Sequence, residues 1–213
     1  MDNNKKAVHD NNISVYNVGD TKIVTIGTNN YTVRIANKST SANCSNTNYS
    51  QTACGFVVEF ADIVTSRQMR STATNVGGYP ETLIYSYLRD TLFEQLPGDL
   101  RSVIEPTRVI SGYGSSDSNN YVTTDYLYLL SGVEVFGSDS VDTAASTTTQ
   151  LDFYKDISNS KVKKLNSIER YWWLRTASSN FNHTFRCVSN SGNLGSPNAN
   201  DDNRGISPAF RIA

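Results

Sequence analysis

Apolar residues in this chain fall into short, strand-length runs divided by long Asn-, Ser- and Thr-rich stretches, and a single run, Ile84 to Leu96, keeps a helical period. Strands and helices therefore do not alternate as a parallel doubly wound sheet requires, and the pattern predicts an α+β fold. Lys22-Ile23-Val24-Thr25-Ile26 alternates in character, as does Tyr31-Thr32-Val33-Arg34-Ile35. Gly27-Thr28-Asn29-Asn30 between them predicts a hairpin turn, because Gly and Asn accept the positive φ of a tight reversal. Gly55 to Phe60 has the β-branched and aromatic content of a strand. Ile84, Leu88, Leu92 and Leu96 step by four along one helix face, with Pro80 suited to a first helical position, Glu81 to the first turn and Pro97-Gly98 to the stop. Asp99 is expected to cap a second short helix through Val103 and Ile104 that ends before Pro106. Residues 37–52, Gly112 to Asn120 and 137–149 read as loops, and Asp125 to Leu130 is too short to assign. Two strand-like pieces, around Thr184 to Val188 and Ile206 to Ile212, close the chain. Residues 1–12 are polar and aperiodic and predict a flexible arm; residues 13–213 predict one domain.

The hydrophobic fraction, 38%, and the charged fraction, 18%, are both low, and Asn, Ser, Thr, Gly and Tyr fill the difference. Such a surface resembles extracellular binding faces, where hydroxyls, amides and tyrosines make adaptable contacts at little entropic cost. A net charge of −1 gives no basic stripe for nucleic acid. Lys5-Lys6 and Lys161 to Lys164 are too short for a lipid-binding patch and read as solvated loops. No apolar run reaches the length of a membrane span. Met1 to Lys6 has no apolar core behind its charges and does not read as a secretory signal peptide, which leaves a cytosolic protein, one that leaves the cell assembled on a virus particle, or one already trimmed of its signal. Of the three cysteines, Cys44 and Cys54 are close enough to bridge a loop but read equally well as reduced thiols, and Cys187 is left over. Neither His9 nor His183 stands at metal-ligand spacing from a cysteine.

Several segments together carry a family resemblance: Thr52-Ala53-Cys54-Gly55-Phe56-Val57-Val58-Glu59-Phe60, Asn75-Val76-Gly77-Gly78-Tyr79-Pro80, Leu127-Tyr128-Leu129-Leu130-Ser131, Tyr171-Trp172-Trp173-Leu174-Arg175-Thr176-Ala177, then Phe185, Val188, Gly192 and Ile206-Ser207-Pro208-Ala209-Phe210-Arg211-Ile212. From about Ile13 onward the chain resembles a C-type-lectin-like domain family of gut Gram-positive bacteria and their phages, similar to the formylglycine-generating-enzyme-like branch. The resemblance implies a C-type-lectin-like fold with short mixed and antiparallel sheets and two or more helices. The same branch supplies the variable proteins of diversity-generating retroelements, in which a reverse transcriptase mutates template adenines. AAC codons scattered in this way cannot reach Lys, Glu, Gln, Met or Trp. Those five types make up roughly one residue in eight before Leu174 and none from Leu174 onward.

The resemblance thus implies a variable region over about 174–213 whose ligand-binding residues are Ser178, Ser179, Asn180, Phe181, Asn182, His183, Thr184, Arg186, Asn190, Ser191, Asn193, Ser196, Asn198, Asn200, Asp201, Asp202 and Asn203. Trp172, Trp173, Leu174, Val188, Ile206 and Phe210 are expected to pack beneath it. Phe181 and His183 are the expected exposed anchors. A hypervariable display protein follows, recognising a protein or glycan on a target cell from a phage tail tip or a bacterial surface. The alternatives are a fixed-specificity bacterial adhesin or lectin and, more weakly, a formylglycine-generating-type oxidase.

No catalytic centre, metal or cofactor is expected. Ser196-Pro197-Asn198 puts serine where a calcium-dependent sugar site needs an acid, and Asp201-Asp202 alone supply few charged oxygens. Cys187 has no partner cysteine at a motif position for copper. No Gly-x-Ser-x-Gly elbow accompanies the two histidines. Glu59 and Glu134 read as structural acceptors, and Arg175 as the partner of one of them inside the fold.

Overall fold

The computed structural model describes residues 15–212, so the arm expected over residues 1–12 lies outside the described residues. β1 (Thr21–Ile26) and β2 (Asn29–Asn37) form the expected hairpin. Its loop is shorter than the sequence suggests: Ile26 pairs with Asn29, so only Gly27 and Thr28 turn the chain. Gly27 alone has positive φ, 61°, as a type II′ reversal requires of its first central residue. The following loop carries a 3₁₀ turn (Ala42–Ser45) and a disulfide between Cys44 and Cys54, which resolves the open cysteine assignment.

β3 (Phe56–Phe60) is buried at every residue because both of its faces are covered. Phe56, Val58 and Phe60 face one apolar cluster and Val57 the other. After β4 (Thr65–Ser66), Pro80 lies in a 3₁₀ turn (Tyr79–Glu81) rather than in the helix itself. The helix starts one turn later as α1 (Leu83–Tyr87), capped by Thr82 whose hydroxyl accepts from Tyr85 N–H at 3.0 Å. It runs through a π-helical stretch (Leu88–Leu92) into α2 (Phe93–Gln95). Ile84, Leu88, Leu92 and Leu96 are all buried in one cluster, as their spacing predicts. α3 (Gly98–Arg101) stops earlier than expected. Val103 follows it, and Ile104 belongs to a short strand, β5 (Ile104–Glu105).

The loop from Gly112 to Asn120 links the hairpin of β6 (Thr107–Ser111) and β7 (Tyr121–Asp125). α4 (Gly132–Phe136) begins with a capping box made by Ser131 and Glu134 and ends at Gly137 in the left-handed region. α5 (Asp152–Lys155) precedes a third hairpin, of β8 (Lys163–Leu165) and β9 (Ile168–Arg170). Here the reading of Lys161 to Lys164 as a solvated loop is wrong, because Lys163 lies in β8 and is fully buried.

β10 (Trp172–Ala177) is buried throughout, and its alternation sends Trp172 and Leu174 to one cluster and Trp173 to the other. Both indoles find acceptors, Lys161 O at 2.9 Å and Arg67 O at 2.8 Å. β11 (Phe185–Val188), β12 (Leu194–Gly195), β13 (Gly205–Ile206) and β14 (Ala209–Ile212) follow, so the expected Ile206 to Ile212 strand is broken at Ser207-Pro208.

Two five-stranded sheets result, ordered β1-β2-β3-β14-β5 and β12-β11-β10-β13-β4. The break at Ser207-Pro208 lets one segment serve both sheets: β13 runs parallel to β10 in the second, and β14 pairs antiparallel with β3 and β5 in the first. The molecule is mixed, sheet-rich and sparing of helix, in keeping with the α+β expectation. No helix among the described residues is long and apolar enough to cross a membrane.

Candidate functional site

β10 is the central strand from which the C-terminal loops hang. At its far end residues 178–184 loop out to β11; at the near end residues 189–193 turn into β12; residues 196–204 then return along the sheet to β13. The implied binding residues therefore do not form one continuous patch. Asn190, Ser191 and Asn193 sit at the opposite end of β11 from Asn180, Phe181 and Asn182, about 13 Å away for four extended residues.

The first loop is the best organised. Asn75, fully buried, donates from Nδ2 to the carbonyls of Ser178 (3.0 Å), Phe181 (2.7 Å) and Thr184 (3.0 Å). Its own N–H donates to Asn182 O at 2.8 Å. Ser179 N–H donates to Val141 O at 3.1 Å, and Ala199 N–H to His183 O at 2.8 Å. The backbone of the loop is thus satisfied inward while Asn180, Phe181 and Asn182 project outward. Phe181 is 53% exposed, with its ring 5.7 Å from that of His183. Asn198 is held beside this loop by a bridge to Thr184.

Asn75 belongs to a segment that the sequence singled out, but its contacts span more than a hundred residues, and nothing local signals them. The space around it is tight: a Cβ on Gly114 would lie 2.1 Å from Asn75 Oδ1. Asn75→Ala should cost about 1–3 kcal/mol, because the carbonyls of Ser178, Phe181 and Thr184 lose the amide group they share. Hydrogen exchange at the amides of Phe181 to His183 should accelerate with it. Unchanged exchange there would show that the loop is anchored by something else.

Burial and pairing correct parts of the implied set. Ser178 and Thr184 are buried, with only their carbonyls engaged by Asn75, so they belong to the support and not to the face. Arg186 is also committed inward. Its Nε donates to both oxygens of the buried Asp139 at 3.0 Å, its Nη2 to Oδ1 at 2.7 Å and its Nη1 to Ser196 Oγ at 2.6 Å. A bidentate pair of this kind is a structural clamp. Asp201 is half-buried and paired with Arg204 at 3.1 Å. Asn200, Asp202 and Asn203 are exposed on a segment tied down by Arg70 N–H to Ala199 O (2.9 Å) and Arg67 N–H to Arg204 O (3.0 Å). Ser189 Oγ accepts from the N–H groups of Ser191 and Asn193 and fixes the other turn, leaving the side chains of Asn190, Ser191 and Asn193 outside.

The acids behave as structural acceptors. Burial alone would raise the Glu134 carboxyl, but Arg175, Thr52 and the Ser131 N–H hold it below its usual range. Arg175 meets it with two bonds of 2.6 Å, so the sequence-based pairing of Arg175 with an internal acid holds, and Glu134 is the acid. Cys187 is fully buried, and burial pushes its thiol up to about 12, which keeps it protonated and unsuited to thiolate chemistry at neutral pH.

Searches among curated proteins and among solved structures return no match. A family described as a domain of unknown function, DUF6273, matches residues 55–213. The match begins just after Cys54, so β1, β2 and the loop closed by the disulfide lie N-terminal to it, and β1 and β2 extend the first sheet beyond β3. With the family spanning β3 to the end of the chain, including both strands that share the Ser207-Pro208 break, this protein belongs to the DUF6273 family.

Proposed function

We propose that this is a ligand-binding display protein of C-type-lectin-like architecture, with its recognition surface on the loops that follow β10 and no catalytic role. One observation carries the reading. The loop backbones are hydrogen-bonded inward by Asn75, Val141 and Ser189, while Asn180, Phe181, Asn182, Asn190, Ser191, Asn193, Asn198, Asn200, Asp202 and Asn203 stand exposed. Side chains on so firmly held a frame can change without changing the fold, which suits a diversified face. The absence of Lys, Glu, Gln, Met and Trp after Trp173 supports the same reading. The partner is a protein or glycan on a target cell, met from a phage tail tip or a bacterial surface. Phe181 is the anchor, since an exposed aromatic at the centre of an interface can dominate affinity.

Sequencing of codons 174–213 across the source population, with the DNA just downstream, tests this. Substitutions confined to adenines, sparing the codons of Ser178, Thr184 and Arg186 and accompanied by a near-copy template, are the expected result. A uniform sequence without a template would make the protein a fixed-specificity adhesin. On the protein itself, Asn182→Tyr and Asn200→Tyr should each leave stability within about 0.5 kcal/mol of the parent in thermal unfolding, as exposed substitutions usually do. A large loss in both would place these residues in the core.

A further inference from the structure

Beneath the first sheet lies a cavity of about 260 Å³ whose walls include none of the exposed residues of the C-terminal loops. Val33 and Ile35 of β2, Val58 of β3 and Phe210 and Ile212 of β14 form its floor, and Leu100 of α3 closes one side. These residues are all buried in the same apolar cluster. Tyr16, Asp20 and Lys22 stand at the mouth.

The register shows why the mouth is unusual. Lys22 faces Val33, and the ladder continues past Thr21, with Ile35 N–H donating to Asp20 O at 3.0 Å and Gly19 N–H to Ile35 O at 2.8 Å. Asp20, Lys22, Val24 and Ile26 therefore share one face of the strand, ~6–7 Å apart at each second residue. Val24 and Ile26 continue the apolar row. Asp20 and Lys22 instead set two opposite charges over an apolar floor, and among the described residues neither forms an ion pair with the other or with anything else. Asp20 accepts one backbone N–H, from Asn17 at 2.8 Å. Thr21 and Arg34 also line the cavity, and the Arg34 guanidinium is spent on Glu59 and Tyr154. A lysine pointing inward protects an edge strand from pairing with another sheet, and Asp20 closes the turn through Asn17 N–H, but neither role neutralises either charge at the apolar mouth. An apolar hollow with a few convergent polar groups at its mouth has the make-up of a small-molecule site.

We propose that this cavity binds a small zwitterion with an apolar side chain, the chemistry of a free apolar α-amino acid. Its carboxylate meets Lys22, its ammonium meets Asp20, and its side chain enters between Ile35, Val58 and Phe210. This site is separate from the recognition loops, and its failure would leave the reading of those loops untouched.

The test is an amide NMR titration of the full chain with L-leucine, L-phenylalanine, D-leucine and leucinamide. Saturable shifts at Lys22, Val33, Val58 and Ile212 are expected with the L-amino acids, with weaker binding of D-leucine and of leucinamide, which lacks the carboxylate. Lys22→Met and Asp20→Asn alter exposed side chains, and Asn can still accept from Asn17 N–H, so both variants should fold as the parent does. Each should weaken L-leucine binding at least tenfold. No saturable shift at millimolar L-leucine or L-phenylalanine overturns the proposal, and so does binding that neither variant weakens.

Discussion

Arg175→Met should destabilise the protein by about 3–5 kcal/mol, the usual cost of leaving a buried charge without its partner. For a chain of this length that is a fall in Tm of roughly 6–20 °C. The guanidinium is 1% exposed and lies at the junction of several segments. Its Nη1 donates to Leu129 O at 2.9 Å as well as to Glu134, and its Nη2 reaches Thr52 Oγ1 at 3.2 Å. Glu134 in turn accepts from Thr148 Oγ1 at 2.8 Å and from Ser131 N–H at 2.9 Å, completing the cap of α4. Methionine fills much of the volume but strands the carboxylate among three hydroxyl and amide donors and no cation. Lysine would restore the charge without the fork, so Arg175→Lys should recover only part of the loss. Thermal unfolding of the two variants checks both statements. A loss under about 1 kcal/mol for Arg175→Met would mean that Glu134 takes up a proton and the pair holds nothing together.

The sequence made this pair legible because both partners lie in segments where a lone charge interrupts apolar residues, Leu-Arg-Thr-Ala and Gly-Val-Glu-Val. The hairpin and the leucine-lined helix were legible for the same kind of reason, since local periods of two and of four report a face. What stayed hidden depends on distant partners. Lys163, within Lys161 to Lys164, looks like any exposed basic cluster until β3 is placed against it. Asn75 is one asparagine among many, and its role exists only once residues 178–184 fold over it. The division of the C-terminal block into exposed and committed residues is likewise topological. Arg186 and Asn190 look alike in the sequence, yet the strand alternation and Asp139 send one inward and leave the other in solvent.

Glu59→Gln is expected to carry a comparable cost, about 3–5 kcal/mol near pH 7, with a pH dependence on the alkaline side that comes from Lys163. Glu59 is fully buried and holds two cations, Arg34 at 2.8 Å and Lys163 at 2.6 Å, with the Tyr154 hydroxyl donating to it at 2.9 Å. Burial would raise the Glu59 carboxyl, but Arg34 and Lys163 pull it below its usual range. One carboxylate cannot neutralise two cations, and burial together with the nearby Arg34 charge brings Lys163 down to about 8. The lowered folded-state value means that between about pH 8 and 10.5 the unfolded chain binds more protons at this lysine than the folded one, so its contribution to stability rises with pH over that window. Without the carboxylate, Lys163 should give up its proton at still lower pH, and the variant should begin to regain stability before the parent does. The difference in unfolding free energy between parent and Glu59→Gln should therefore shrink as pH is raised from 6 to 9. A difference that stays constant over that range would show that Lys163 keeps its proton without Glu59, and that Phe60 O and Ser207 Oγ suffice to hold the ammonium between the sheets.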